Sequence, residues 1–234
     1  MVISLVLSNS TVRTYLYSSG DGFKLLATGE YLGACLTQVR ILSVENDMIQ
    51  LLTASTDGHV VVWESRRQLE GGLDLRMVIV ERMHQSSVKS LSIAAVPPPP
   101  GHQRSWLVIT GGDDNALGIM DLSWDGCFGA RSKSRVKGAH AAAVTGTRVI
   151  RNKEEVVVAT VSNDQRVKVW RVTFADGDKG AGRIQVALLE NRYSSVADPG
   201  DVEVIAPGRL MVGGVGMEVW EFEGERAKAM LPFR

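Results

Sequence analysis

The chain has 234 residues, 44% hydrophobic and 22% charged, a balance that supports a buried core and excludes general disorder. Lys plus Arg and Asp plus Glu each total 26, so the formal net charge is zero and there is no chain-wide basic field for gripping nucleic acid. Cys35 and Cys127 stand far apart with no C-x-x-C pair, which suits a reducing compartment better than a disulfide framework.

In chain order, Val2 to Leu7 is apolar but has no basic start and no long apolar core. It reads as a strand and not as a signal peptide. No run reaches membrane-spanning length, and the expected location is cytoplasmic. Val12 to Tyr17 follows across Ser8-Asn9-Ser10-Thr11, and Phe23 to Ala27 supplies a third strand. Next come Gln38 to Val44, Ile49 to Ala54, His59 to Trp63 and Arg76 to Val80, with Ser55-Thr56-Asp57-Gly58 as the turn chemistry between the middle two. A third group has His84, then Val88 to Ala95, Trp106 to Thr110, a strand after Asp114, and an outer strand within Arg131 to Lys137. Pro97 to Pro100 interrupts it, and four prolines cannot sit inside a sheet, so a loop is expected there. The fourth group runs from His140 through Val144 to Arg151, Val156 to Val161, Arg166 to Thr173 and Ile184 to Leu189, with Asp176 to Gly182 as a flexible connection. The last contains Asp201 to Ile205, Leu210 to Gly213 and Met217 to Phe222.

These groups are copies of one unit. Asp57 precedes Trp63 by six residues, as Asp114 precedes Met120, Asp164 precedes Trp170 and Gly214 precedes Trp220, and the four anchors stand 57, 50 and 50 residues apart. A His about two dozen residues before such an Asp, as His140 stands before Asp164, resembles the pattern of a WD repeat. The fold class expected is therefore all-β: WD40-type β-propeller blades, three full and two partial. Their bounds are a partial blade 1–31, blades 37–82, 88–139 and 144–191, a partial last blade 196–222, and a tail 223–234. The first blade lacks its innermost strand and the last its outermost, and the chain is too short for a ring of about seven blades of ~40 residues. It is expected to be the C-terminal part of a larger propeller protein.

The resemblance implies structural roles for His84, Asp114, His140, Ser162, Asp164 and Trp170, and likewise for Asp57, Trp63 and Trp220. A set such as His140, Ser162, Asp164 and Trp170 is expected to be linked by hydrogen bonds, since each polar handle needs a partner when buried. In the second blade Cys35 occupies the place where a His is expected. A catalytic reading of His140 with Asp164 fails because the pair recurs as His84 with Asp114, whereas an active site occurs once. His59 and His102 have no ligand-like companions for a metal. Gly213-Gly214-Val215-Gly216 lacks the third spaced glycine and the following helix of a dinucleotide loop and reads as a hairpin turn, and Lys179 among Gly177 to Gly182 lacks the G-K-[ST] of a phosphate loop. No nucleophile, paired carboxylates or cofactor motif is present, so neither enzyme activity nor a cofactor is expected. Arg131, Lys133, Arg135 and Lys137 alternate with Ser132, Ser134 and Val136, so on a strand all four cations would share a face. The plainer reading is protection of an edge strand, and the functional one is contact with RNA phosphates.

Several strings, in order, are also similar to the C-terminal blades of the WD-repeat subunit of the eukaryotic tRNA wobble-ribose methyltransferase. They are His84-Gln85-Ser86 followed by Leu91, Gly111-Gly112-Asp113-Asp114, Asp164-Gln165-Arg166, Val196-Ala197-Asp198, and Gly213-Gly214-x-Gly216-x-Glu218-Val219. This resemblance implies a non-catalytic scaffold. Such a scaffold would bind a separate methyltransferase and help present tRNA for 2′-O-methylation at the wobble nucleotide, without membrane or small-molecule substrate. A general interaction propeller, serving trafficking, ubiquitination or signalling, is the alternative.

Overall fold

The computed structural model describes residues 1–45, 48–67, 73–98, 100–151, 156–175 and 183–221. Pro99, Glu155, the expected connection 176–182, Phe222 and the expected tail 223–234 lie outside them. The first blade consists of β1 (Val2–Val6), β2 (Thr11–Ser18) and β3 (Gly22–Glu30). Three blades of four antiparallel strands follow. The second holds β4 (Leu36–Glu45), β5 (Met48–Ser55), β6 (His59–Arg67) and β7 (Leu73–Arg82). In the third are β8 (Val88–Val96), β9 (Arg104–Gly112), β10 (Leu117–Trp124) and β11 (Phe128–Val136). The fourth has β12 (Val144–Arg151), β13 (Val156–Ser162), β14 (Arg166–Ala175) and β15 (Arg183–Tyr193), and β16 (Ala197–Ala206) with β17 (Arg209–Glu221) makes the last.

β17 doubles back on itself. Arg209 and Glu221 form an ion pair at 3.2 Å, whereas a straight strand of twelve steps would hold them ~40 Å apart. The reversal falls at Gly213 to Gly216, where Gly216 takes φ +111°. One pairing had no local signature in the sequence. β3 and β7 run parallel, with Ala27 opposite Leu73 and Thr28 opposite Asp74, which joins the first two blades into one seven-stranded sheet.

The core lies between the blades. Because successive strand residues point to opposite faces, a middle strand feeds two interfaces at once and must be apolar on both sides. On β5, Leu51 packs with Val12, Ala27 and Trp63 towards the first blade, while its neighbour Leu52 packs with Leu91, Val108 and Met120 towards the third. Leu107 and Ile109 of β9 meet Val158, Trp170 and Ile184 of the fourth blade. Val167 and Val169 of β14 meet Val202, Leu210 and Trp220 of the last. This is why β13 reads VVVATVS, without polar alternation. Each fully buried aliphatic side chain here contributes about 1.5–3 kcal/mol relative to exposure, and truncating Leu107 to Ala is expected to cost about 2–5 kcal/mol.

On the far side of the first blade the sheet face is uncovered. Met1 is 71% exposed, Phe23 64%, Leu25 50% and Leu5 48%. Cross-strand register sets Tyr17 opposite Phe23 and Tyr15 opposite both Ile3 and Leu25, so these side chains share one face. At the other end Val215, Met217 and Val219 are also exposed.

Candidate functional site: the blade network and its exposed rim

The hairpin turns place a carboxylate at a fixed height in each blade. In the fourth, Gln165 takes φ +58°, which bends the turn so that Asp164 accepts from the Arg166 amide at 3.0 Å and from the Ala141 amide at 2.8 Å. His140 Nδ1 stands 3.1 Å from the same carboxylate, and its Nε2 lies 2.8 Å from Thr160 Oγ1. The Trp170 indole donates to Thr160 Oγ1 at 2.9 Å. With a neutral imidazole the donors run in one direction: Trp170 N–H to Thr160, Thr160 O–H to His140 Nε2, His140 Nδ1–H to Asp164. Burial holds the His140 pKa below its ordinary value and outweighs the pull of Asp164, so the neutral form belongs to the fold.

The third blade repeats the arrangement. His84 Nδ1 is 2.7 Å from Asp114 and Nε2 is 2.8 Å from Thr110 Oγ1, and the Gln85 amide donates to Asp114 at 2.8 Å. Met120, fully buried, fills the place of the indole but brings no N–H. In the second blade the expected His place at Cys35 is corrected: Tyr31 fills the role. Its hydroxyl donates to Asp57 Oδ2 at 2.7 Å, Ser55 donates to Oδ1 at 2.5 Å, and Trp63 donates to Thr53 at 2.8 Å. Cys35 instead donates its thiol to the Ser8 carbonyl. Burial and then the bond to Asp57 push the Tyr31 hydroxyl up to about 12. Burial acts to raise Asp57, but donors from Ser55, Tyr31 and His59 outweigh it and bring the carboxyl down to about 2.

Backbone bonds show that these residues are equivalent. The amides of Tyr31, His84, His140 and Ser194 donate to the carbonyls of Ser10, Gly58, Asn115 and Gln165. Each acceptor is the left-handed residue of the preceding blade's turn, with φ between +58° and +88°. In the last blade Gly214 has no side chain to offer, and Glu218 supplies the carboxylate to Ser194 Oγ at 2.7 Å and the Ser195 amide at 2.9 Å. Burial acts to raise Glu218, but bonds from Trp220, Ser194 and Ser195 hold it below the usual range.

Ser162 does not join the His–Trp link. It sits nearer the turn, where Oγ accepts from the Asp164 amide at 3.2 Å, and Thr160, two residues back on the same face, makes the connection. Tyr31, the three threonines, Ser194 and Glu218 are site residues that sequence reasoning missed. A signal existed for the threonines: Thr53, Thr110 and Thr160 each stand ten residues before Trp63, Met120 and Trp170.

Every polar atom of the His–Asp pairs is engaged, with both imidazoles at 0% and both carboxylates at 8% side-chain exposure. Their chemistry is to lock blades and turns together. Among the described residues no cluster of His, Cys, Asp and Glu could hold a metal ion, and no helix is long and apolar enough to cross a membrane. Cys35 and Cys127 are free and exposed.

The basic stripe is largely neutralised within the fold. Arg131 pairs with Asp121 at 3.5 Å, Lys133 with Glu81 of the second blade at 2.7 Å, and Arg135 with Asp114 at 3.7 Å. A register shift opposite Arg131 also breaks the strict alternation, and Lys137 lies in the turn beyond β11, exposed. These pairs favour the edge-protecting reading over a continuous phosphate track. Elsewhere on the rim, Arg166 lies over the Tyr193 ring at 3.9 Å, and Tyr193 is 68% exposed.

No family model matches the chain. It is similar to tRNA (34-2'-O)-methyltransferase regulator WDR6 of Bos taurus, at 24% identity over 94% of this chain and 21% of that protein. The Homo sapiens protein of the same description is 25% identical over 94% of this chain and 22% of its own length. The chain thus spans about a fifth of the length of these curated relatives. Among solved structures, the WD40 beta propeller domain of Doa1 superposes with a TM-score of 0.61 at 16% identity, covering 96% of this chain and 62% of that one. The fold is a WD40-type β-propeller.

Proposed function

We propose that the chain is a non-catalytic, cytoplasmic WD-repeat scaffold that partners a tRNA 2′-O-ribose methyltransferase and helps present tRNA for methylation of the wobble nucleotide. One observation carries this reading: similarity over 94% of the chain to proteins described as regulators of that methyltransferase. The site geometry supports it. The recurring His–Asp pairs are closed and structural; on this reading the partner carries out methyl transfer, and the blades supply surfaces on which partner and tRNA are brought together.

A second reading, a general protein–protein adaptor in trafficking, ubiquitination or signalling, draws on the same fold, which hosts unrelated functions. It is favoured by the exposed apolar end faces, surface of a kind that marks protein interfaces. Affinity purification of the tagged chain separates the two. An RNA methyltransferase recovered in stoichiometric amount is expected on the first reading; coat or ubiquitin-ligase subunits in its place would transfer the function to the second.

A further inference from the structure

The string Arg166-Val167-Lys168 starts β14, and Glu190-Asn191-Arg192-Tyr193 ends β15. Antiparallel register sets Arg166 opposite Tyr193 and Lys168 opposite Asn191, so these four side chains share one face at the rim of the fourth blade. The Arg166 guanidinium covers one side of the Tyr193 ring at 3.9 Å and is fixed there by a bond to Asn191 Oδ1 at 3.0 Å. Lys168 donates to the Ala139 carbonyl at 2.5 Å, which draws in the turn of the third blade carrying the exposed Lys137 two residues earlier. Both Arg166 and Lys168 are thus anchored to neutral groups. Among the four stripe cations, Lys137 is the one standing outside the β11 strand.

We infer that this rim is a contact for single-stranded RNA, with an unpaired base stacking on the open side of Tyr193 and phosphate oxygens meeting Arg166, Lys168 and Lys137. The inference rests on the tRNA reading above. An aromatic ring backed by a guanidinium and flanked by cations is the combination that accepts a splayed base and its backbone. An acidic peptide would use the cations and leave the ring unengaged.

Fluorescence anisotropy of the purified 234-residue chain with an anticodon stem-loop RNA, at several salt concentrations, tests it. Tyr193→Ala is expected to weaken binding roughly tenfold or more, and Tyr193→Phe to keep the affinity within about twofold, since the stacking face is retained. Lys137→Ser should reduce the log–log salt slope by about 0.7. Thermal melts check that all three variants are folded. Wild-type affinity in Tyr193→Ala would overturn the contact, as would failure of the wild-type chain to bind RNA while it binds a polyglutamate peptide through Lys137. The two readings fail separately. Unaltered wobble methylation in cells lacking the gene would remove the methyltransferase role and leave a measured RNA contact standing. Normal RNA affinity in Tyr193→Ala would do the reverse.

Discussion

At the residue scale, a hydrogen-bond chain runs from Trp170 through Thr160 and His140 to Asp164, and each link depends on the proton held by the one before. Asp164→Ala would strip the acceptor from His140 Nδ1–H and from the Ala141 amide. It is expected to cost about 2–3 kcal/mol, the price of leaving buried donors unpaired, read as a lowered urea midpoint at unchanged m-value. This network and its counterparts in the second and third blades make stability depend on pH at both ends. His84 and His140 are held below their ordinary value of 6.5 by burial. The unfolded chain therefore binds more protons than the folded one as pH falls through that value, and stability drops on the acid side. Asp57, with a folded value of about 2 against 3.8, adds a further loss as pH falls from ~4 towards 2. Tyr31 acts in the opposite direction. Its hydroxyl titrates near 12 when folded and 10.0 ordinarily, so its contribution is intact below pH 10 and disappears between 10 and 12. Denaturant titrations across pH should show both flanks, and Tyr31→Phe should erase the alkaline one; an alkaline loss that persists in Tyr31→Phe would assign it to another group.

At the scale of the element, a left-handed turn residue lends its carbonyl to the next blade. Gly58 shows how tight this is. It has φ +88°, and an added Cβ would collide with the His84 carbonyl. Gly58→Ala is therefore expected to cost about 1–3 kcal/mol, measurable as a lowered Tm, whereas a wild-type Tm would mean that the second and third blades are not coupled through this turn. Such turns explain which elements were legible in the sequence. The hairpins at Asp57-Gly58, Asp114-Asn115 and Asp164-Gln165 carry their geometry in adjacent residues, and so could be placed from local chemistry. Tyr31 escaped because a phenol can replace an imidazole as donor without resembling it in sequence. Thr160 was hidden by Ser162, which has the same hydroxyl chemistry nearer the turn. The parallel contact of β3 with β7 joins Ala27 to Leu73, a pairing set by how outer strands meet in space. The basic stripe looked like a free surface because its carboxylate partners, Glu81, Asp114 and Asp121, come from two other strands and a turn.

For the whole molecule, five blades are held side by side by interfaces that share each middle strand, and salt links such as Lys133 with Glu81 and Arg104 with Glu45 cross between blades. A body built this way offers rigid edges, rims and end faces for holding other molecules at fixed positions. The His–Asp pairs, buried and bonded on every polar atom, are consumed in holding it together. The central claim concerns what is held. Mass spectrometry of nucleosides and fragments from tRNA of cells lacking this gene tests it most directly, by reading ribose methylation at the wobble nucleotide. Loss of that methylation with other ribose methylations kept is the predicted result. Wobble methylation at the normal level would contradict the account and make the general adaptor the leading function.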